Sequence, residues 1–259
     1  MSKIEIRDEF LASEVRGLSL DIGYANLTVQ EEATDKIVVS TIRDEEKSAR
    51  YDCKLTNGTL AVEAGNVDIK ISLFGKESTF KKSDVDKDEV YLTVPCGMKF
   101  EMMELCLGAG TAKLGNVSSC YDRAEVEVGA GTLYADAIKV AGNIDIELGA
   151  GSVEIQNLSA QTADVDCGVG KMVIGGAVEK DIDISCGVGS IEMYLDAVES
   201  DYNYEIDCAV GSVLINGSKR GGVFASSSRV TSPNAKGTIN LDCGVGKVEL
   251  TTQKRISAE

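Results

Sequence analysis

The chain has 259 residues, 43% of them hydrophobic but only 5% aromatic, with a net charge of −16 and neither His nor Trp. That length is one or two domains at roughly 150 residues each. The acidity argues against nucleic acid, whose phosphates need a basic footprint, and against an anionic membrane surface. Without His, Ser-His-Asp triads, Cys-His pairs and His metal sites are excluded.

The start, Met1 to Gln30, has no basic stretch followed by an apolar one, and no run of about 18 apolar residues occurs anywhere. The expectation is a cytoplasmic chain without membrane insertion, whose eight Cys stay reduced. Leu18-Ser19-Leu20-Asp21-Ile22-Gly23 followed by Leu27-Thr28-Val29 reads as two short strands about a glycine corner. Ile37-Val38-Val39-Ser40 and Leu60-Ala61-Val62-Glu63 read as further strands, and Val90-Tyr91-Leu92-Thr93-Val94-Pro95 as a strand ending on proline. Between them, Phe74 to Asp88 is charged and reads as a mobile loop. Residues 1–100 are therefore expected to form an irregular β-rich cap.

From residue 101 a Gly-x-Gly recurs: Gly108/Gly110, Gly129/Gly131, Gly149/Gly151, Gly168/Gly170 and Gly187/Gly189. It weakens to Ala209-Val210-Gly211 and returns as Gly244/Gly246. The spacings are 21, 20, 19, 19, 22 and 35. A period near 20 marks a stacked-repeat architecture. Before each corner apolar and polar residues alternate strictly, as in Ile144-Asp145-Ile146-Glu147-Leu148 and Ile182-Asp183-Ile184-Ser185-Cys186. Such alternation is a strand with one buried face. It restarts after the corner, as in Val153-Glu154-Ile155 and Val248-Glu249-Leu250.

The predicted fold is all-β: a parallel β-solenoid (β-helix or β-roll-like) with about 20 residues and two strands per coil. The corner glycines are expected to supply φ > 0 and close approach between coils. The last spacing predicts an inserted loop at 216–237, carrying Lys219, Arg220, Arg229 and Lys236, within a repeat region spanning 101–259.

Gly-x-Gly is not a nucleotide fingerprint here. That motif needs a third Gly three residues on and then a helix. These positions hold Lys113, Tyr134, Glu154, Val173 and Glu192, with strands following. Cys167, Cys186, Cys208 and Cys243 share the inward position just before the corner, where other repeats carry Leu107, Val128 and Leu148. The exchange with aliphatics favours core packing, with metal or redox chemistry as the alternative.

Two outward acidic columns stand out. Glu127, Glu147, Asp166, Asp207 and Asp242 form one, interrupted by Ser185; Glu125, Asp145, Asp164, Asp183 and Glu205 form the other. Stacked like charges repel. Three readings compete: a solubilising face, a weak divalent-cation surface for which Ca²⁺ is the one cofactor considered, and a docking face for a basic partner. Paired carboxylates also serve glycosidases, but a column supplies such pairs everywhere and so singles out no catalytic residue.

Three stretches together carry a family likeness: Leu18 to Val29, the Leu92-Thr93-Val94-Pro95-Cys96-Gly97 turn, and the serial apolar-acidic-Gly-x-Gly pattern. The chain resembles the putative adhesin family of bacterial β-strand-repeat proteins, a domain of unknown function, over most of residues 17–250. The resemblance implies a parallel solenoid, adhesion at the cell envelope and no catalytic residues. The leading functional expectation is a non-enzymatic scaffold that binds a protein or surface glycan through its acidic face. The alternatives are a polysaccharide-acting β-helix enzyme and an envelope-stress accessory protein docking a basic partner. The oligomeric expectation is a monomer or a weak end-to-end assembly.

Overall fold

A computed structural model describes residues 3–44, 50–66, 68–73, 76–80, 87–222 and 226–253. Strands dominate because short alternating segments of β-branched and aliphatic residues are punctuated by glycine and polar turns. In the N-terminal part these are β1 (Lys3–Leu11), β2 (Gly17–Ile22), β3 (Ala25–Glu32), β4 (Lys36–Asp44), β5 (Arg50–Thr56), β6 (Thr59–Asn66), β7 (Asp68–Leu73), β8 (Lys76–Phe80) and β9 (Asp88–Pro95). The middle holds β10 (Lys99–Leu107), β11 (Thr111–Leu114), β12 (Cys120–Val128), β13 (Thr132–Ala135), β14 (Ile138–Val140), β15 (Asn143–Ala160) and β16 (Thr162–Val178). Then follow β17 (Ile182–Cys186), β18 (Ser190–Leu195), β19 (Tyr202–Cys208), β20 (Ser212–Ile215), β21 (Ser218–Gly222), β22 (Ser226–Val230), β23 (Gly237–Cys243) and β24 (Lys247–Thr252). β7 and β8 pair only with each other; the rest form one 22-stranded, solenoid-like sheet.

The sheet contains two long ladders joined at the glycine corners, and a short third one in which β14 pairs in parallel with the start of β12 and the end of β15. The ladder before the corners runs β5, β6, β2, β10, β12, β15, β16, β17, β23, β19, β22. The ladder after them runs β1, β4, β9, β3, β11, β13, β15, β16, β18, β24, β20, β21. Every internal pairing is parallel and in register at the corner. A pre-corner strand with the post-corner strand that follows it makes a rung, and the β12–β13 rung carries β14 as well. Inward residues such as Ile146, Val165, Ile184, Leu241 and Ile206 from the first ladder, and Val153, Met172, Ile191, Val248 and Val213 from the second, belong to one buried core. Each fully buried aliphatic of this kind contributes ~1.5–3 kcal/mol.

The order of rungs departs from the order of the chain at both ends. The chain leaves β17–β18 and builds β19–β20 one place too far along. It then turns back through β21 and β22, and fills the vacant slot with β23–β24. At the other end β2–β3 is likewise flanked by β6–β9 on one side and β10–β11 on the other. Antiparallel strands cover both ends: β5 on β6 and β4 on β9, β22 on β19 and β21 on β20. Such cover blunts edges that would otherwise template pairing with another chain.

Three expectations change. The segment 216–237, read from sequence as an inserted loop, contains strands β21 and β22. Residues 76–80 of the stretch read as a mobile loop form β8, while Phe74, Gly75 and 81–86 lie outside the described residues. The corner glycines do not supply positive φ: among those named above only Gly151 has it, at 156°, close to extended. Close approach is what they supply. A Cβ on Gly170 would lie 2.5 Å from the Gly151 oxygen, and one on Gly189 2.5 Å from the Gly170 oxygen.

Candidate acidic face and cysteine ladder

Outward positions of the pre-corner ladder stack in register. The first acidic column reads, in space, Glu63, Asp21, Cys106, Glu127, Glu147, Asp166, Ser185, Asp242, Asp207. The second reads Glu104, Glu125, Asp145, Asp164, Asp183, Asn240, Glu205. The inserted rung therefore places Asp242 between Ser185 and Asp207, and Asn240 between Asp183 and Glu205. The column expected from sequence begins at Glu127. Its extension through Asp21 was signalled by the Leu20-Asp21-Ile22-Gly23 corner, which carries the same alternation.

At the far end the columns border an open groove of about 330 Å³, lined by Asp164, Asp166, Asp183, Glu205, Asp207 and Asp242 with Ser185 and Asn240. Two of these carboxylates are relieved. Asn240 Nδ2 donates to Asp183 Oδ1 at 2.6 Å, and Arg229 pairs with Glu205 at 2.5 Å. Burial, and then the carboxylates of Asp145, Asp166 and Asp183, push the Asp164 carboxyl above its ordinary range. No three His, Cys, Asp or Glu side chains among the described residues converge to hold a metal ion.

A carboxyl raised in the folded state binds protons there more readily than in the unfolded chain, so it destabilises at neutral pH. The penalty disappears as pH falls below the unfolded value near 4. Asp164→Asn is expected to raise stability at pH 7.5 by a few tenths to ~1 kcal/mol, the range for opposed like charges on neighbouring strands. Paired thermal melts of parent and variant at pH 7.5 and at pH 3.5 check this: the gain must vanish at the lower pH.

The four inward cysteines form a ladder ordered Cys167, Cys186, Cys243, Cys208, all buried. Each of the first three leans under the following rung. A Cβ on Gly189, Gly246 or Gly211 would lie 2.7, 2.6 or 2.7 Å from the sulfur of Cys167, Cys186 or Cys243. Leu148 does the same under Gly170, where its Cδ2 would be 2.9 Å away. The cysteines thus occupy a position that leucine also fills. Hydrogen bonding to Cys167, and then burial, hold the Cys186 thiol protonated; burial, and then Cys208, push Cys243 up to about 12.

Outside the ladder, Cys96 and Cys106 are exposed. Desolvation, and then Glu127, Asp21 and Glu125, push Cys106 up to about 12. Because the thiolate is the nucleophile, Ellman's reagent at pH 8 is expected to label Cys96 at least about tenfold faster than Cys106. The ladder is expected to stay silent until denaturant is added. Mass mapping of the labelled sites distinguishes these classes, and early labelling of Cys186 or Cys243 would contradict the buried ladder.

A known family model, Toastrack DUF4097, matches residues 15–250. The chain belongs to the Toastrack DUF4097 family. Solved structures similar to this family member include a putative cell adhesion protein from Clostridium sporogenes ATCC 15579. It is 15% identical, with 97% of this chain and 100% of that one covered and a TM-score of 0.40. A putative adhesin from Bacteroides fragilis NCTC 9343 is 13% identical, with 96% and 98% covered and a TM-score of 0.48. A putative lipid binding protein from Parabacteroides distasonis ATCC 8503 is 13% identical, with 95% and 96% covered and a TM-score of 0.43. No curated protein matches the chain.

Proposed function

We propose that this Toastrack chain is a non-enzymatic interaction scaffold. Its parallel solenoid of two strands per coil holds two carboxylate columns rigid, and those columns bind a cationic partner. One observation carries the reading. Asp164, Asp166, Asp207 and Asp242 crowd one groove, and no Lys or Arg ion pair reaches them among the described residues. Repulsion between stacked carboxylates costs stability in the free protein, and a cationic ligand relieves it. A repeated face suits an extended partner better than a single small substrate.

The test replaces Asp164, Asp166, Asp183, Asp207 and Asp242 by Asn and Glu205 by Gln in the full chain. Retention of a decalysine peptide on the immobilised parent is expected at about 0.1 M salt and is expected to weaken steeply as salt rises. The neutralised chain should melt no lower than the parent and lose retention at least about tenfold. Equal retention by both chains would overturn the proposal.

A further inference from the structure

Beside the acidic groove runs a row of exposed valines. Val169, Val188, Val245 and Val210 are the middle residues of four adjacent corners, and they are 57%, 61%, 61% and 61% exposed. Backbone bonds hold the last three in step: Val188 N–H to the Gly168 oxygen at 2.9 Å, Val245 N–H to the Gly187 oxygen at 2.8 Å, and Val210 N–H to the Gly244 oxygen at 2.9 Å. The crossed rung order makes the row continuous, because Val245 fills the place between Val188 and Val210. The corner itself does not ask for valine. The three preceding Gly-x-Gly corners carry Ala109, Ala130 and Ala150 in the same position. An aliphatic ridge that none of the described residues covers marks an interaction surface.

The flanks of the ridge differ in charge. On one side lie Asp166, Asp242 and Asp207 of the first acidic column. On the other, Lys171 is tied to Glu192 at 3.0 Å and Lys247 to Glu249 at 2.6 Å. The uncompensated charge is negative and lies along one side only. A second copy of this chain, or an anionic membrane, would bring like charge to that side.

The spacing selects the form of the partner. Rungs about 4.8 Å apart spread four valines over ~14 Å. A helix with apolar residues at i, i+3, i+7 and i+10 spreads them over ~15 Å, one contact per rung. A partner strand laid along the ridge would present a side chain on the contact face every ~6.8 Å and fall out of step. We propose that the valine ridge and the acidic column beside it form one docking track for a cationic amphipathic helix of a partner protein. The track rests on the acidic-face reading above and adds to it an apolar strip and a required periodicity.

The test uses the full chain and two lysine–leucine peptides of identical composition. One carries leucine at i, i+3, i+7 and i+10, and the other is scrambled; binding is read by fluorescence anisotropy. The variant V169A/V188A/V210A/V245A copies the alanine of the other corners and is expected to melt with the parent. The patterned peptide should bind the parent at least about tenfold tighter than the scrambled one, a gain of ~1.4 kcal/mol. The alanine variant should abolish that difference.

Equal binding of the two peptides, or a difference that survives in the alanine variant, overturns the track. If the scrambled peptide still binds and loses binding on neutralisation of the carboxylates, the acidic-face reading stands without it. If neither peptide binds, both fall. Valine-dependent binding to phosphatidylglycerol vesicles would replace the helix with a membrane and equally overturn the proposal.

Discussion

Gly110→Ala is expected to destabilise the fold by at least ~3 kcal/mol, beyond ordinary overpacking of a core. A methyl group there would sit 1.7 Å from the carbonyl oxygen of buried Ala25 and 2.8 Å from its carbon. Both atoms are backbone, fixed by the parallel ladder between β3 and β11, so no rotamer change relieves the clash. Gly115→Ala is the control. Its Cβ would lie 3.5 Å from the Val29 oxygen, an ordinary contact, and the expected change is within ~0.5 kcal/mol. Urea unfolding midpoints of the two variants measure the contrast. Similar midpoints would remove close approach as the reason for the corner glycines.

The same geometry ranks the two glycines of each corner. Cβ atoms on the second glycines Gly131, Gly151, Gly170, Gly189, Gly211 and Gly246 would meet backbone oxygens at 2.8, 2.1, 2.5, 2.5, 2.2 and 2.4 Å. On the first glycines Gly129, Gly168, Gly187 and Gly244 the distances are 3.1, 2.9, 2.9 and 2.9 Å. The first position is the looser one, and it is the one where Ala209 stands in place of glycine. The apparent weakening of the motif at residue 209 is therefore a substitution at the position that can bear it.

This contrast also shows what could be read from the chain alone. Strands, inward faces and outward acidic columns follow from alternation, and Ile37–Ser40, Leu60–Glu63 and Val90–Pro95 fall within β4, β6 and β9. Rung order does not follow from alternation. In a parallel in-register stack every rung offers the same apolar-acidic-apolar face, so Cys186 meets Cys243 as readily as it would meet Cys208. Nothing local tells the chain to skip a place. The strands that make the skip possible were hidden for a related reason. Ser218-Lys219-Arg220-Gly221-Gly222 and Ser226-Ser227-Ser228-Arg229-Val230 have no alternating apolar face, because they pair at the edge as cover. The ridge valines stand in the sequence as the middle of three Gly-Val-Gly corners and of Ala209-Val210-Gly211, but the continuity of the row depends on the same skipped place.

Ending the chain after residue 236 should abolish cooperative folding, an outcome that follows from the crossed order and not from a sequential one. In a sequential stack β23–β24 would be the terminal rung, and its loss would fray one end. Here it lies between β17–β18 and β19–β20. Its Ile239, Leu241, Cys243, Val248 and Leu250 are each 2% exposed or less. At ~1.5–3 kcal/mol per buried aliphatic the loss is on the order of 10 kcal/mol, comparable to the 5–15 kcal/mol that holds a typical domain together. β19–β20 would also lose its parallel neighbour.

Deletion of the first 11 residues is the matched experiment at the other end. It removes all of β1, whose described residues include no buried side chain, and it is expected to lower the melting temperature by several degrees while leaving one cooperative transition. Circular dichroism melts and limited proteolysis of the two truncations read the difference. A C-terminal truncation that still melts cooperatively near the parent temperature, with protection retained through Leu195, would place β23–β24 at the end of the stack and refute the inserted rung.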